Sequence, residues 1–235
     1  MASIYTELKK RVYEANMMLA RSGLVILTWG NVSEADRGLG VFAIKPSGVS
    51  YDKLTADDIV VISLATGERV EGSLRPSSDT NTHLKLYQAF ENINGVCHCH
   101  SSYATAFSQA GMPIPSLGTT HADVFYNEVP ITRSLTKQEI DSDYEAETGT
   151  VIVEAFKEKD PTAVPSVLVR QHGPFTWGRD GAESVEHAMV LEQVAKIAWL
   201  QKALDPMLTP LDVNLQNKHF YRKHGAAATY GQISQ

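Results

Sequence analysis

The stretch Gly95–Ser101, which reads GVCHCHS, constrains the fold of this chain more than any other. Its apolar start and polar end predict a buried strand that runs into a turn. Alternate side chains of a strand share a face, so His98 and His100 should point the same way. Cys97 and Cys99 should then point to the opposite face. Because two imidazoles on one face of a rigid strand can chelate a divalent metal, the sequence predicts a metal centre here.

A structural zinc knot is the alternative that the run Cys-His-Cys-His suggests. Strand alternation disfavours this alternative, because the two thiols face away from the two imidazoles. The chain has 2 cysteines in all, so it offers no second cysteine cluster to complete such a knot. We interpret Cys97 and Cys99 as small apolar packing residues, and their free thiols are typical of a reducing cytoplasm.

The composition excludes several classes of function. The net charge is −6, so the chain lacks the basic field that nucleic-acid binding needs. No apolar run approaches the roughly 20 residues that cross a bilayer, and the first seven residues do not resemble a signal peptide. We therefore expect a cytoplasmic protein that binds neither nucleic acid nor membrane. We also expect a single domain over residues 1–235.

Hydrophobic periodicity predicts the elements of the first half. Residues 3–22 should form an amphipathic helix that ends at Gly23. Its buried stripe is predicted to contain Ile4, Leu8, Val12, Ala15 and Leu19. Apolar runs bounded by turn residues predict strands at 24–28, 41–44, 59–63 and 69–71, the last two forming a hairpin. A glycine-containing turn should follow each of the first two strands.

Helices dominate the predictions for the second half. The predicted helices are one from about Thr80 to Phe90, then 102–110, 143–159, one from Asp180 to about 203, and one from Thr209 to Gly225. Ser77, Ser78 and Asp79 lie where helix caps belong. The polar segment 118–123 has no helical stripe and is predicted to be a loop. Short strands separated by helices predict an α/β layered domain, with a mixed central sheet and helices on both faces.

His172 is the third candidate metal ligand. It follows the predicted strand 167–170, just before a Gly-Pro turn. Side chains at such strand ends are the ones that an α/β sheet offers to a ligand. Three histidines around an open coordination position are typical of a catalytic rather than a structural zinc site.

Seven motifs occur along the chain in the order TWGNVS, KPSG, PSSD, HCHS, GTTHAD, QHGPFTWG and KHFYRKHG. Each motif is weak alone, but in this order they closely resemble the class II aldolase family. Within that family the chain is most similar to the epimerases that act on L-ribulose 5-phosphate. The resemblance covers about residues 4–232.

The resemblance implies a role for each matching residue. The implied ligands of a divalent metal, zinc or sometimes manganese, are Asp79, His98, His100 and His172. The implied substrate- and phosphate-binding residues are Asn31, Lys45, Ser47, Gly48, Ser77 and Ser78. The implied acid/base pair is Asp123 and Tyr230, with Tyr230 reaching a neighbouring subunit's site. The implied supporting residues are Thr119, Glu145, His219 and Arg222.

The resemblance also implies an activity. It implies a homo-oligomer, a homotetramer, that interconverts L-ribulose 5-phosphate and D-xylulose 5-phosphate in pentose catabolism. A 4-epimerase for a related ketopentose phosphate is one alternative, and a sugar-phosphate aldolase is another. Such aldolases carry a glutamate where this chain has Asp79, and the shorter carboxylate favours the epimerase. Adducin-like scaffold domains lack the three histidines, and no Gly-x-Gly-x-x-Gly or Walker loop is present to bind a nucleotide.

Overall fold

The computed structural model describes residues 3–224 and 228–229 of the 235-residue chain. The strands are β1 (Gly30–Asp36), β2 (Val41–Ile44), β3 (Val60–Ser63), β4 (Arg69–Glu71), β5 (Gly95–Cys99), β6 (Ser166–Leu168) and β7 (Pro174–Gly178). The helices are α1 (Thr6–Arg21), α2 (Thr80–Ala89), α3 (Ser102–Ala110), α4 (Thr119–Ala122), α5 (Lys137–Asp141), α6 (Tyr144–Ala155), α7 (Gly181–Leu204) and α8 (Val213–Tyr221). Within this part of the chain, no helix is long and apolar enough to span a membrane.

The described strands form one seven-stranded sheet in the order β4-β3-β2-β1-β5-β7-β6. All six strand pairings are antiparallel. The parallel component expected of a mixed sheet is reduced, among the described residues, to the isolated bridge between Ile131 and Leu168. The predicted hairpin is confirmed as β3 and β4.

Helices cover both faces of the sheet, which confirms the predicted α/β layered fold. Phe42 and Ile44 of β2 belong to a cluster with residues of α2 and α6. Their neighbours Val41 and Ala43 pack with residues of α1 on the other face. This alternation is the period-2 geometry of a strand buried on both sides.

The two thiols of β5 pack as the sequence predicted. Cys97 and Cys99 lie in an apolar cluster with Leu19 of α1 and Val185 of α7. Both are free and buried. Val96, between Gly95 and Cys97, faces the opposite cluster. The histidines of this strand therefore point away from the thiols, and the zinc-knot alternative is wrong.

The strand predicted at 24–28 is wrong. The strand at this point of the chain is β1, which begins at Gly30, and residues before it form an irregular loop. Ile26 and Leu27 are 61% and 78% exposed, and Leu27 has a φ of 54°. The apolar run was misleading, because β1 buries polar side chains that find hydrogen-bond partners elsewhere in the fold.

Other boundaries also differ from the predictions. Segment 118–123, expected to be a loop, contains the single-turn helix α4. The last helix begins at Val213 rather than Thr209, because the Asp212 side chain caps it by accepting from the N–H groups of the second and third residues of the helix. Ile4 precedes α1 and is 73% exposed, so it is not part of the buried stripe. Strand β7 was not predicted, because Pro174, its first residue, was interpreted as part of a Gly-Pro turn.

Candidate functional site

Three histidines that are far apart in sequence converge at one end of the sheet. His98 lies in β5, His100 directly follows it, and His172 lies in the turn between β6 and β7. Strand β7 pairs antiparallel with β5, with Phe175 opposite His98, and this pairing brings the turn to the end of β5. The Nε2 atoms of His98 and His100 are 3.1 Å apart. One ring nitrogen from each of the three histidines lies within 4.8 Å of the others.

The ring of His98 is locked in one orientation. Its Nδ1 lies 2.8 Å from the carbonyl oxygen of Pro174, and a carbonyl can only accept, so Nδ1 carries the proton. The ring also stacks on Phe175 with a centroid distance of 4.1 Å. The unprotonated Nε2 therefore faces His100.

The histidines also have the protonation state that metal binding needs. Burial, assisted by His100, lowers the pKa of His98 to about 3. Burial also lowers the pKa of His172 to about 4. Neutral imidazole is the form that binds metals. Three neutral nitrogen donors directed at one point match a catalytic divalent metal site, so the residues present fit such an ion.

The turn that carries His172 is tightly constrained. The N–H of His172 donates to the carbonyl of Val169 at 3.0 Å, and the N–H of Val169 donates to the carbonyl of Gly173 at 2.9 Å. Gln171 has a φ of 62°, a left-handed conformation that non-glycine residues rarely adopt. A Cβ on Gly173 would lie 3.1 Å from His100 Cδ2. The turn therefore packs Gly173 closely against His100, and the ring centroids of His100 and His172 are 5.1 Å apart.

A cavity of about 600 Å³ opens beside the three histidines. The predicted site residues that line it are Asn31, Lys45, Ser47, Gly48, Ser77, Ser78, Asp79, Glu145, His98, His100 and His172. Backbone hydrogen bonds join the two loops of its wall. Ser47 N–H donates to the Arg75 carbonyl at 2.9 Å, and Ser77 N–H donates to the Lys45 carbonyl at 3.0 Å. The two loops, 45–48 and 75–79, therefore form one platform.

Asp79 stands at the start of α2 without capping it. Its Oδ2 accepts a 2.6 Å hydrogen bond from the Nδ2 of Asn31 instead. Its negative charge opposes the lowering of the pKa of His100 and of His172. Among the described residues, the convergent set of candidate ligand atoms contains the three histidines without Asp79. The carboxylate is thus held beside the triad rather than within it.

Lys45 is a buried cation in the wall of the cavity. The residue is 2% exposed, and its Nζ donates to the Val49 carbonyl at 2.6 Å and lies 4.9 Å from the centre of the Tyr51 ring. Burial lowers the pKa of Lys45 to about 8. An anion in the cavity would stabilise the charged form, since an opposite charge nearby favours ionisation.

A second cluster surrounds Asp123, which does not line the cavity. Its carboxylate accepts from His219 Nδ1 at 3.0 Å and Arg222 at 3.0 Å, and Lys223 Nζ is 3.1 Å away. Burial raises the pKa of Asp123, but these donors outweigh it and the pKa stays below its usual value. The N–H of Asp123 donates to the carbonyl of Thr119. Four of the predicted residues thus meet here, away from the histidines.

One predicted site residue, Tyr230, lies outside the described residues. Tyr144 and Trp29 line the cavity, although the sequence did not identify them. Tyr144 Oη is 3.3 Å from His172 Nδ1, and the Trp29 ring centroid is 6.2 Å from that of His100. The available signal was that Tyr144 directly precedes Glu145 and that Trp29 belongs to the motif TWGNVS, which also contains Asn31.

Known proteins resemble this chain both in sequence and in fold. The chain is 53% identical over 226 residues to a protein of Salmonella paratyphi C named L-ribulose-5-phosphate 4-epimerase UlaF, covering 96% of this chain and 99% of that one. It is 52% identical, with the same coverage, to the protein of that name from Salmonella typhi. A solved structure of L-fuculose 1-phosphate aldolase matches with a TM-score of 0.75 and 26% identity, covering 94% of this chain and 97% of that chain.

The family model described as Class II Aldolase and Adducin N-terminal domain matches residues 10–199, which include the three histidines, the platform loops and Asp123. This match, together with relatives more than half identical over nearly the whole chain, confirms the resemblance seen in the seven motifs. The chain belongs to the class II aldolase and adducin family.

Proposed function

We propose that this chain is a metal-dependent L-ribulose-5-phosphate 4-epimerase, an isomerase that interconverts L-ribulose 5-phosphate and D-xylulose 5-phosphate. The observation that carries the proposal is the three-histidine cluster opening into a polar cavity with a buried lysine. The relatives named for this activity support the choice of substrate.

The chemistry explains why such a site is needed. The carbon that is inverted, C4, bears a hydroxyl and is not adjacent to the ketose carbonyl. Removal of a proton next to the carbonyl therefore does not invert it. Loss of the C4 hydroxyl proton to a base lets the C3–C4 bond break, giving an enediolate and glycolaldehyde phosphate. The aldehyde turns, the C3–C4 bond re-forms on its other face, and an acid on that side returns the proton.

His98, His100 and His172 would hold one divalent metal ion per subunit. Such an ion acts as a Lewis acid that stabilises negative charge on the oxygens of a sugar. We propose zinc, because three imidazole ligands around an open position suit it, with manganese or another divalent ion as the alternative. Asp79, oriented by Asn31, would adjust the charge beside the ligands.

The platform loops would hold the phosphate while the aldehyde fragment turns. Ser47 and Gly48 lie on one loop, and Ser77 and Ser78 lie on the other, at the start of α2. Hydroxyls and N–H groups at a helix start are suited to an anion. Lys45 would add a positive charge to this wall.

The acid/base pair would come from a neighbouring subunit. Asp123 does not line the cavity of its own chain, and it is held by His219 and Arg222 at the end of α8. Tyr230 follows α8 in the sequence, and α8 carries His219, which holds Asp123, so we group Asp123 and Tyr230 as one acid/base region. We propose a homotetramer in which each cavity receives this region from its neighbour. Glu145 would support the metal side of the site and Thr119 the Asp123 side. We place the enzyme in the cytoplasm, where the free thiols of Cys97 and Cys99 are stable.

A sugar-phosphate aldolase is the second candidate, and the likeness to L-fuculose 1-phosphate aldolase favours it. An aldolase releases the two fragments instead of rejoining them. A 4-epimerase for a related ketopentose phosphate would share every feature of the site described above. Only the product distinguishes these activities.

The deciding experiment is NMR of the purified protein with L-ribulose 5-phosphate and zinc. The proposal expects D-xylulose 5-phosphate to appear as the substrate disappears, with free glycolaldehyde phosphate below a few per cent of the product. Dihydroxyacetone formed as fast as substrate is lost would make the protein an aldolase. Turnover of another ketopentose phosphate with a higher kcat/KM would reassign the substrate.

A further inference from the structure

Tyr144 makes a contact with the histidine cluster that no role described so far requires. It is the first residue of α6 and lines the cavity beside Glu145. Its hydroxyl oxygen lies 3.3 Å from Nδ1 of His172. The two rings are nearly parallel, with an interplanar angle of 28° and centroids 6.3 Å apart. The hydroxyl is thus directed at one particular nitrogen of one candidate ligand.

The nitrogen that Tyr144 contacts determines the nitrogen left for a metal. With Nδ1 of His172 engaged, the remaining nitrogen is Nε2, and a metal can bind there only if Nε2 carries no proton. Nδ1 must then carry the proton and donate it to the tyrosine oxygen. The same arrangement exists at His98, where Nδ1 donates to the Pro174 carbonyl and Nε2 is bare.

We infer that Tyr144 is a positioning residue that accepts a hydrogen bond from His172 Nδ1 and so fixes the tautomer and ring orientation in which Nε2 can bind the metal. This inference rests on the proposed function, because it assumes that the triad holds a metal. Hydrogen-bond partners behind a ligating histidine commonly raise metal affinity by about 10- to 100-fold.

The Tyr144 hydroxyl matters because His98 and His172 are held in different ways. His98 Nδ1 donates to a backbone carbonyl, and no side-chain substitution removes a carbonyl of the main chain. His172 lies in a turn, and its Nδ1 partner is a side chain. A tyrosine hydroxyl can accept a hydrogen bond as well as donate one, so Tyr144 can serve as the acceptor for Nδ1.

A purely structural role for Tyr144 leads to a different expectation. If the ring only forms part of the cavity wall, removing the hydroxyl while keeping the ring should leave metal binding unchanged. Tyr144→Phe makes this change. Tyr103→Phe is the matched control, because Tyr103 packs against Trp199 on α7, outside the cavity.

The experiment measures the zinc dissociation constant of each protein by competition with a chromophoric chelator, together with the melting temperature of the metal-free form. We expect Tyr144→Phe to weaken zinc binding at least about 10-fold, with a melting temperature close to that of the parent. Tyr103→Phe should bind zinc within about two-fold of the parent. Unchanged zinc affinity in Tyr144→Phe would overturn the inference.

A second measurement reports on the unsubstituted protein, and one variant is used only to assign a signal. Nitrogen-15 NMR of labelled histidine in the metal-free protein reports the tautomer of each ring, and His172→Asn identifies the signal. The inference expects the His172 ring protonated at Nδ1, and protonation at Nε2 would overturn it. If His172→Asn abolishes zinc binding while Tyr144→Phe does not, only the inference fails. If the parent protein binds no divalent metal, the proposed function and the inference both fail.

Discussion

Lys45 illustrates, at the scale of a single residue, a group whose burial matters to function. A lysine that is 2% exposed and hydrogen-bonds to backbone carbonyls loses the hydration that favours its charge, and its pKa falls to about 8. When the Lys45 amine is protonated it attracts a phosphate strongly, because little water surrounds the amine to weaken the attraction.

The lowered pKa of Lys45 predicts an alkaline limit to substrate capture. Because the cation is lost as the pH rises through about 8, kcat/KM for the sugar phosphate should fall above that pH. Lys45→Arg keeps its charge, so its kcat/KM should stay level to pH 9.5 even if it is lower throughout. Lys45→Met should lower kcat/KM about 10- to 100-fold at neutral pH. An unchanged alkaline fall in Lys45→Arg would show that another group titrates.

The three histidines support a prediction about metal content. His98→Asn and His172→Asn each remove one of three converging nitrogens, so after dialysis against a chelator and re-addition of zinc each should retain little metal and little activity. Elemental analysis per subunit is the measurement. His187→Gln serves as the control, since His187 lies outside the cavity and contacts the Trp177 carbonyl. Full metal content in both ligand variants would place the site elsewhere.

At the scale of the element, β1 marks the limit of what the sequence could predict. The strand carries Asn31 and Ser33 on a buried face, in a segment where a turn was expected. Asn31 donates to Asp79, and the Ser33 hydroxyl lies 2.7 Å from both His83 Nδ1 and Tyr87 Oη. The partners Asp79, His83 and Tyr87 are four residues apart in sequence, so they lie along one face at α2. The partners are distant in sequence, so the local pattern contains no sign that these polar groups are satisfied.

Elements with local signals were predicted well. Strand β5 and helix α3 are confirmed, because each depends on residues close in sequence. The convergence of His98 and His172 needed the pairing of β5 with β7, which the sequence does not encode locally. The family resemblance supplied what periodicity lacked.

The β6–β7 turn supports a prediction about stability. Gln171 is exposed and has a φ of 62°, which costs a non-glycine residue about 1–2 kcal/mol. Gln171→Gly should therefore raise the free energy of unfolding by about 0.5–1 kcal/mol after the entropy cost of glycine is subtracted. Gln138→Gly, in the exposed helix α5, should lower it by about 1 kcal/mol. Urea denaturation of both variants with metal removed gives the comparison, and equal effects would contradict the argument.

At the scale of the whole molecule, the predicted site residues separate into two groups. The histidines and platform loops surround the cavity, whereas Asp123, His219 and Arg222 lie together elsewhere. The sequence could not reveal this separation, because the resemblance gives roles without positions. Tyr230 lies outside the described residues, and its role stays a prediction.

A site shared between subunits predicts complementation. Subunits with His98→Asn and His100→Asn keep the proposed acid/base groups, and subunits with Tyr230→Phe keep the proposed metal ligands. Each homogeneous variant should be nearly inactive. In a closed ring every interface repeats one pairing, so an equal mixture should regain about a quarter of the parent activity.

Differently tagged subunits verify that exchange has occurred, and Asp123→Asn in place of Tyr230→Phe tests the other member of the pair. Complete exchange without any return of activity would mean that each site lies within one chain.

The convergence of His98, His100 and His172 has a consequence for the lifetime of the protein. An ion bound by both β5 and the β6–β7 turn fastens together two segments that separate on unfolding, so the unfolded chain binds it poorly. At free metal about 100-fold above the dissociation constant, mass action adds about 2.7 kcal/mol to the stability of the fold. A shortage of the ion would then do more than lower the enzyme's activity. It would also raise the fraction of unfolded chains, which proteases cut, so the cellular concentration of the protein would fall with the supply of metal.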